Sequence, residues 1–218
     1  MPVSHPHRAI FVHIPKTAGT SIEAVLGMHG GRHDIGVVPY FNQVTDYEHL
    51  YGGPLQHMSA QSIRAVLNDE ALFRSYFKFA IVRNPWDRLV SALAWTDQKW
   101  VRGEALSEDQ FDRQVRQIHG ALCAARASGR PLQLPAFLQP QSPFVLGADG
   151  ELLVDYIGRY ERLEADWQAI TERLALQSPL PSRMKSHHRD YREYYTPETR
   201  AMVGEMFASD VSRFGYTF

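Results

Sequence analysis

The sequence predicts an α/β domain with a largely parallel sheet. Short apolar runs of strand length alternate with segments whose apolar residues recur at helical spacing, which is the pattern of helices packed on a parallel sheet. Two of the runs, residues 9–14 and 77–82, are almost wholly apolar, as is typical of strands buried on both faces. At 218 residues the chain has the length of one large domain, so we expect residues 1–218 to form a single domain.

A helix is expected directly after the first apolar run. Its start lies within residues 17–21, apolar residues at helical spacing follow, and Gly27 marks its end. Residues 31–54 have no clear period and are predicted to be irregular. A second helix should follow, because Ser59 or Ser62 can serve as its N-cap.

The apolar run at residues 77–82 should lead straight into a helix. Asn84 suits the N-cap, and Pro85 suits the first helical position. Further along, residues 107–110 match a capping box and predict another helix. The proline-rich segment 131–148 is predicted to be a loop.

The last third of the chain predicts one more strand and two helices. The strand candidate covers residues 152–157, and Thr196 with Pro197 begins the final helix. Between them, apolar residues at helical spacing predict a helix: Leu163, Trp167, Ile170 and Leu174.

Composition excludes several classes of protein. A formal net charge of -1 gives no basic excess, so we expect no nucleic-acid partner, and any anionic ligand must be held by local geometry. The single cysteine, Cys123, excludes an intramolecular disulfide and a thiolate-rich metal site. The sequence contains no signal peptide or membrane span, so the protein is expected to lack an integral membrane segment and to be cytoplasmic.

Residues 11–21 have the design of an anion cradle, a strand that ends in a turn of small residues before a helix. Small residues let main-chain N–H groups approach phosphate oxygens, hydroxyl groups add donors, and Lys16 adds a full positive charge. The order differs from the nucleotide-triphosphatase loop, because Lys16 precedes Gly19. The alternative is an ordinary strand-to-helix turn with a surface lysine.

Arg83 is a second candidate for anion binding. It is predicted to lie at the carboxyl edge of a strand, where ligands of parallel sheets bind, and its planar guanidinium can engage a phosphate with two hydrogen bonds. The alternative is a structural salt bridge with Asp87 or another carboxylate.

Segments 15–21 and 79–91 together resemble two motifs of the sulfotransferases that use 3'-phosphoadenosine 5'-phosphosulfate (PAPS). The resemblance is to the carbohydrate branch, which includes the heparan and chondroitin sulfotransferases and bacterial relatives, and it implies a P-loop-like three-layer fold around a central, mostly parallel sheet. It implies that Arg83 and Ser91 hold the 3'-phosphate, and that a loop near residues 183–192 closes over the nucleotide. The donor-binding residues that it implies are Lys16, Thr17, Ala18, Gly19, Thr20, Ser21, Arg83, Ser91, Ser186 and Arg189.

Residues 56–59 resemble the family segment that carries the catalytic histidine, which here is His57. Relatives of the heparan type have a second histidine where this chain has Leu55. Three residues of the irregular region are weak candidates for a second group: Asp34, Glu48 and His49. His13 is predicted to be a core residue.

The resemblance implies transfer of a sulfonate group from PAPS to a hydroxyl of a carbohydrate or glycoconjugate by in-line displacement. In that reaction Lys16 stabilises the leaving phosphate oxygen, His57 is the general base, and no metal is expected. One alternative is a P-loop phosphoryl transferase or NTPase, with Asp155 as the strand-end aspartate that orients Mg²⁺. The other is a non-catalytic nucleotide-binding relative. Acceptor contacts are expected in residues 30–54 and 129–144, and aromatic side chains could stack on a sugar: Tyr40, Phe41 and Trp95.

Overall fold

The computed structural model describes residues 3–28, 55–96, 106–181 and 189–218. The chain divides into two compact units. The first unit combines Met1–Val82 with Pro143–Arg183, and the second combines Arg83–Ser142 with Met184–Phe218. A single domain over residues 1–218 stays a prediction.

Strands and helices alternate along the described chain. The strands are β1 (Val3–Ser4), β2 (Ala9–Val12), β3 (Phe77–Val82) and β4 (Tyr156–Arg159). The helices are α1 (Gly19–Val25), α2 (Ala60–Leu67), α3 (Glu70–Ser75), α4 (Pro85–Thr96), α5 (Glu108–Ser128), α6 (Ser142–Val145), α7 (Leu163–Arg173), α8 (Pro197–Met206) and α9 (Ala208–Phe214). Short 3-10 turns cover Leu55–His57, Ala136–Leu138, Tyr160–Arg162 and Tyr191–Tyr194.

The first unit contains a four-stranded sheet in the order β1-β2-β3-β4. β1 is antiparallel to β2, whereas β2, β3 and β4 are mutually parallel. Val12 pairs with Ala80, and Ala80 pairs with Ile157, so the parallel strands end at the same edge. The predicted α/β class with a central, mostly parallel sheet is confirmed.

One face of this sheet forms the core of the first unit. Phe11 of β2 stacks on Phe79 of β3 with ring centroids 5.0 Å apart. Helices α1 and α7 cover them with Ile22, Trp167 and Ile170, together with Leu26 directly after α1, and all four residues are buried. The predicted apolar spacing of the two helices therefore identified the residues that pack on the sheet.

Local signals placed several helix starts correctly. Ser59 is the N-cap of α2, and the side chain of Asn84 accepts the main-chain N–H of Trp86 at the start of α4. Ser107 and Gln110 form the predicted capping box of α5. Each of these caps satisfies N–H groups that the first turn of a helix leaves unpaired.

The third strand lies later than predicted. Residues 152–157 were expected to form it, but β4 begins only at Tyr156, Leu152 is exposed, and Asp155 binds Lys78. Helices α3 and α9 were not predicted, and segment 131–148 contains the short helical turns Ala136–Leu138 and α6. Residues 31–54 lie outside the described part of the chain. No helix in the described ranges is long and apolar enough to cross a membrane.

Candidate active site

The loop between β2 and α1 has an unusual backbone conformation. Lys16 and Ala18 have positive φ angles of 69° and 71°. Non-glycine residues rarely adopt this left-handed conformation, which is costly and concentrates at functional sites. The hydroxyl of Thr17 donates a hydrogen bond of 2.8 Å to the carbonyl of Ile14 and so holds the turn closed. Lys16 thus lies in a strained turn between the strand and the helix.

Gly19 begins α1 directly against the ring of His13. A Cβ atom at position 19 would lie 2.0 Å from both Cδ2 and Nε2 of His13. Glycine is therefore required here by the close approach of the ring. The ring of His13 in turn fixes the distance between the end of β2 and the start of α1.

His13 belongs to a buried polar network. Its Nδ1 lies 2.8 Å from Oε1 of Glu23, and Oε2 of Glu23 accepts a hydrogen bond of 2.6 Å from Nε2 of Gln56. Burial opposes ionisation of Glu23, but its hydrogen bond to His13 and the charge of that ring lower the pKa of the carboxyl below its usual value. Glu23 is therefore a carboxylate at neutral pH, and because a carboxylate oxygen can only accept, Nδ1 of His13 carries the hydrogen and donates it. His13 is buried as predicted, but its partners are polar.

His57 follows Gln56 in the 3-10 turn and meets His13. Its Nδ1 lies 2.9 Å from the main-chain carbonyl oxygen of His13, and the two imidazole centroids are 4.5 Å apart. A carbonyl can only accept, so Nδ1 of His57 carries the hydrogen and Nε2 of the neutral ring keeps its lone pair. Burial, and then the charge of His13, lower the pKa of His57 to about 4. The ring is thus neutral at physiological pH and able to accept a proton at Nε2.

Three predicted residues of the β2 to α1 segment occupy different environments. Thr17 and Ser21 are buried, whereas Thr20 is exposed. Because Thr17 donates its hydroxyl hydrogen to Ile14, that hydrogen is not directed at a ligand in this arrangement.

Arg83 begins the second unit directly after β3. Gln141 clasps its main chain, with Oε1 accepting from the Arg83 N–H at 2.9 Å and Nε2 donating to the Arg83 carbonyl at 2.8 Å. Asp210 of α9 in turn accepts the main-chain N–H groups of Gln141 and Ser142. Sequence reasoning missed this clasp. No local pattern signals it, because Gln141 lies 58 positions from Arg83 and 69 positions from Asp210.

The guanidinium of Arg83 is only 4% exposed and pairs with Asp87 one turn along α4, with Nε 2.7 Å from Oδ2. This is the salt bridge that the sequence offered as the alternative to phosphate binding. Ser91, on the same helix, is also buried. Both residues are therefore held in place in the second unit.

The structure provides less information on the remaining candidates for donor binding. Arg189 is exposed and pairs with Glu108 at 3.0 Å and with Glu193 at 3.5 Å. Ser186 lies outside the described residues. The same holds for the candidate second groups and the proposed stacking residues of the irregular region: Asp34, Tyr40, Phe41, Glu48 and His49. Trp95 is half-exposed and packs edge-on against Phe137.

Asp155 does not occupy the position that an NTPase requires. It precedes β4, and its main-chain N–H donates to the carbonyl of Lys78 at the start of β3. Its carboxylate lies 2.9 Å from the Lys78 ammonium. It therefore lies at the amino end of the strands, opposite the edge where parallel sheets bind nucleotides.

One side-chain cluster of the second unit combines groups that can ligate metals. The ligand atoms of His119, Cys123 and Glu205 lie within 4.8 Å of one another on the surface. Glu205 already pairs with His119 at 3.1 Å and with Arg126 at 2.9 Å. Sequence spacing did not reveal the cluster, because Glu205 comes from another helix. The ion pairs of Glu205 with His119 and Arg126 explain why these side chains lie close together.

Comparisons with known proteins bear on the sequence resemblance. The model of the sulfotransferase family matches residues 1–217. Carbohydrate sulfotransferase 10 of Xenopus laevis is 40% identical over 91 residues, which are 41% of this chain and 24% of that protein. The chain thus matches about a quarter of the length of this curated relative. No solved structure shows significant similarity to this chain.

The prediction that the protein is cytoplasmic is wrong. A carbohydrate sulfotransferase is normally a Golgi membrane enzyme, so the similarity of this chain to one conflicts with a cytoplasmic location. The prediction was drawn from the lack of a predicted signal peptide or membrane span. Such a lack does not identify the compartment of a protein. The predicted sulfotransferase resemblance is confirmed.

Proposed function

Because the chain belongs to the sulfotransferase family, we propose that it transfers the sulfonate group of PAPS to a hydroxyl of a carbohydrate or glycoconjugate. The acceptor oxygen attacks sulfur in line with the departing phosphate. The new O–S bond forms while the S–O bond to the phosphate breaks, and its electron pair leaves with adenosine 3',5'-bisphosphate. The acceptor proton passes to Nε2 of His57.

The observation that carries the proposal is the state of His57. Its Nδ1 is committed to the carbonyl of His13, and the lowered pKa keeps the ring neutral. Nε2 is therefore a proton acceptor at neutral pH without any rearrangement. A general base in position contributes typically about 10²–10⁴ to the rate.

The donor phosphates are assigned to separate groups of residues. We assign the 5'-phosphosulfate to the strained loop of residues 16–21, chiefly through main-chain N–H groups and Lys16, since the Thr17 hydroxyl is engaged with Ile14. The Lys16 ammonium would balance the charge that develops on the departing oxygen.

We assign the 3'-phosphate to Arg83 and Ser91, and the closing loop to Ser186 and Arg189, by the family resemblance. The ion pair with Asp87 would orient the Arg83 guanidinium until phosphate binds. A carbohydrate acceptor is supported by the similarity to the Xenopus carbohydrate sulfotransferase.

The test is a transfer assay with PAPS and a panel of oligosaccharides, read by mass spectrometry as the gain of one sulfonate. We expect a sulfated product with the wild-type protein. His57→Ala should reduce turnover by about 10²–10⁴ without weakening adenosine 3',5'-bisphosphate binding. Lys16→Ala should reduce turnover more than it reduces binding. Binding of the bisphosphate with no transfer to any acceptor would point instead to the non-catalytic relative.

A further inference from the structure

Glu23 is a buried carboxylate with both oxygens in use. It lies on α1 with 4% of its surface exposed. Oε1 pairs with Nδ1 of His13 at 2.8 Å, and Oε2 accepts from Nε2 of Gln56 at 2.6 Å. Because a buried charge is costly unless it is paired, a carboxylate at this position requires both partners.

The two partners of Glu23 belong to the two segments that carry the proposed chemistry of the first unit. His13 lies in the same loop as Lys16, and Gln56 is the residue before His57. A second tie joins the same segments, since His57 donates to the carbonyl of His13. Glu23 therefore lies in a closed circuit of four residues from three parts of the chain. Its two side-chain hydrogen bonds reach His13 and Gln56, and the circuit closes through the main chain between Gln56 and His57 and the bond from His57 to the main-chain carbonyl of His13.

We infer that Glu23 is a positioning residue for the base: together with His13 it fixes the orientation and tautomer of His57 relative to the phosphosulfate loop. This inference rests on the proposed function. Its physical basis is the circuit itself, because removal of the carboxylate frees Gln56 and the His13 ring together.

The charge of Glu23 adds a second contribution. Among the described residues, the titratable groups that act on His57 are His13 and Glu23. Burial is the main cause of the lowered pKa of His57, and the negative charge of Glu23 opposes it. Glu23 would therefore stabilise the imidazolium that forms when His57 accepts the acceptor proton.

Two substitutions separate geometry from charge. Glu23→Ala removes both. Glu23→Gln removes the charge but can keep both hydrogen bonds, because the Gln56 amide can turn its oxygen towards the new amide group. Glu172→Gln is the matched control, since Glu172 accepts a hydrogen bond of 3.0 Å from Gln168 on the exposed face of α7 in the same unit.

We expect Glu23→Ala to lower kcat by about 10²-fold, since a misplaced catalytic group costs about that much. The kcat of Glu23→Gln should lie within roughly ten-fold of the wild-type value, which corresponds to the loss of one modest interaction. The affinity for adenosine 3',5'-bisphosphate and the kinetics of Glu172→Gln should stay unchanged.

A measurement independent of turnover is the ¹⁵N spectrum of the imidazoles. In the wild type we expect His57 as the Nδ1–H tautomer, in Glu23→Ala a mixture of tautomers, and in Glu23→Gln the wild-type tautomer with a further lowered pKa. Wild-type kcat and an unchanged His57 spectrum in Glu23→Ala would overturn the inference. If the wild type transfers no sulfonate, the proposed function fails, while the spectra still decide whether Glu23 positions His57.

Discussion

Nδ1 of His57 donates to the main-chain carbonyl of His13 across 2.9 Å, which leaves Nε2 as the basic atom of a partly buried, neutral ring. This contact joins residues 44 positions apart in the sequence. It accounts for the protonation state that a general base needs. It also allows the pH dependence of activity and of stability to be predicted from the environment of His57.

The first prediction concerns the pH dependence of kcat/KM, which reports ionisations of the free enzyme. Because the pKa of His57 is lowered to about 4, the neutral form persists through mild acid. We expect kcat/KM to stay flat from pH ~8 down to ~5, instead of halving near the ordinary histidine pKa of ~6.5. Initial rates with PAPS and the acceptor both well below their KM values check this. An acid limb centred near pH ~6.5 would contradict the assigned environment of His57.

The second prediction concerns stability. The folded pKa of His57 lies below its unfolded value of 6.5, so the unfolded chain binds the proton first as pH falls. Stability should therefore rise with pH between about 4 and 6.5. From pH ~7.5 to ~5 the wild type should lose about 2 kcal/mol through this residue.

Urea denaturation of wild type and His57→Gln at several pH values checks the sign and size of that loss. The histidines that do not interact with His57 are common to both proteins, so their effects cancel in the difference. A difference between the two free energies of unfolding that does not change with pH would contradict the prediction.

How much of this site the sequence predicts depends on how local the contacts are. The strand, turn and helix around Lys16 are adjacent in the chain, so their residue pattern was sufficient to predict them. The strand before Arg83 and the cap at Asn84 were predicted for the same reason.

The pairing of His13 with His57 and Gln56 with Glu23 was not predicted, because contacts between distant segments have no periodic signature. His13 was assigned to the core, and it is buried there. The available signal was chemical, since an imidazole in an apolar strand needs a polar partner and Glu23 lies on the next helix.

The third prediction concerns Gly19. Gly19→Ala places a Cβ atom 2.0 Å from the His13 ring, so the ring or the loop must move. We expect a loss of roughly 1–3 kcal/mol in the free energy of unfolding, as for other overpacked sites. Thermal or urea denaturation measures it.

Two controls isolate the clash at Gly19. Gly120→Ala, in the middle of α5, meets no atom within 4 Å and should be neutral or stabilising. In a His13→Ala background the cost of Gly19→Ala should nearly vanish, because the ring is gone. An equal cost in both backgrounds would mean that the backbone, and not His13, requires glycine.

The fourth prediction concerns Arg83. Hydrogen bonds to charged groups contribute roughly 1.5–3 kcal/mol, so Arg83→Ala should weaken adenosine 3',5'-bisphosphate binding by about ten- to a hundred-fold. The weak affinity for 5'-AMP should hardly change, since that ligand has no 3'-phosphate. Isothermal titration with both ligands measures the two effects.

Arg116→Ala is the control for Arg83, because Arg116 also pairs with a carboxylate four residues away, with Nε 2.8 Å from Oδ2 of Asp112 on the exposed side of α5. Its removal should leave both affinities unchanged. Equal weakening of both ligands by Arg83→Ala would identify Arg83 as a structural partner of Asp87 only.

The most direct test of the account is a thermal-shift comparison of the purified protein with adenosine 3',5'-bisphosphate and with ATP plus Mg²⁺. A ligand of the folded state at a hundred times its Kd stabilises by about 2.7 kcal/mol, which raises Tm by several degrees. We predict a clear rise with the bisphosphate and a smaller one or none with ATP and Mg²⁺. A rise with ATP and Mg²⁺ alone would contradict PAPS as the donor and favour a phosphoryl transferase.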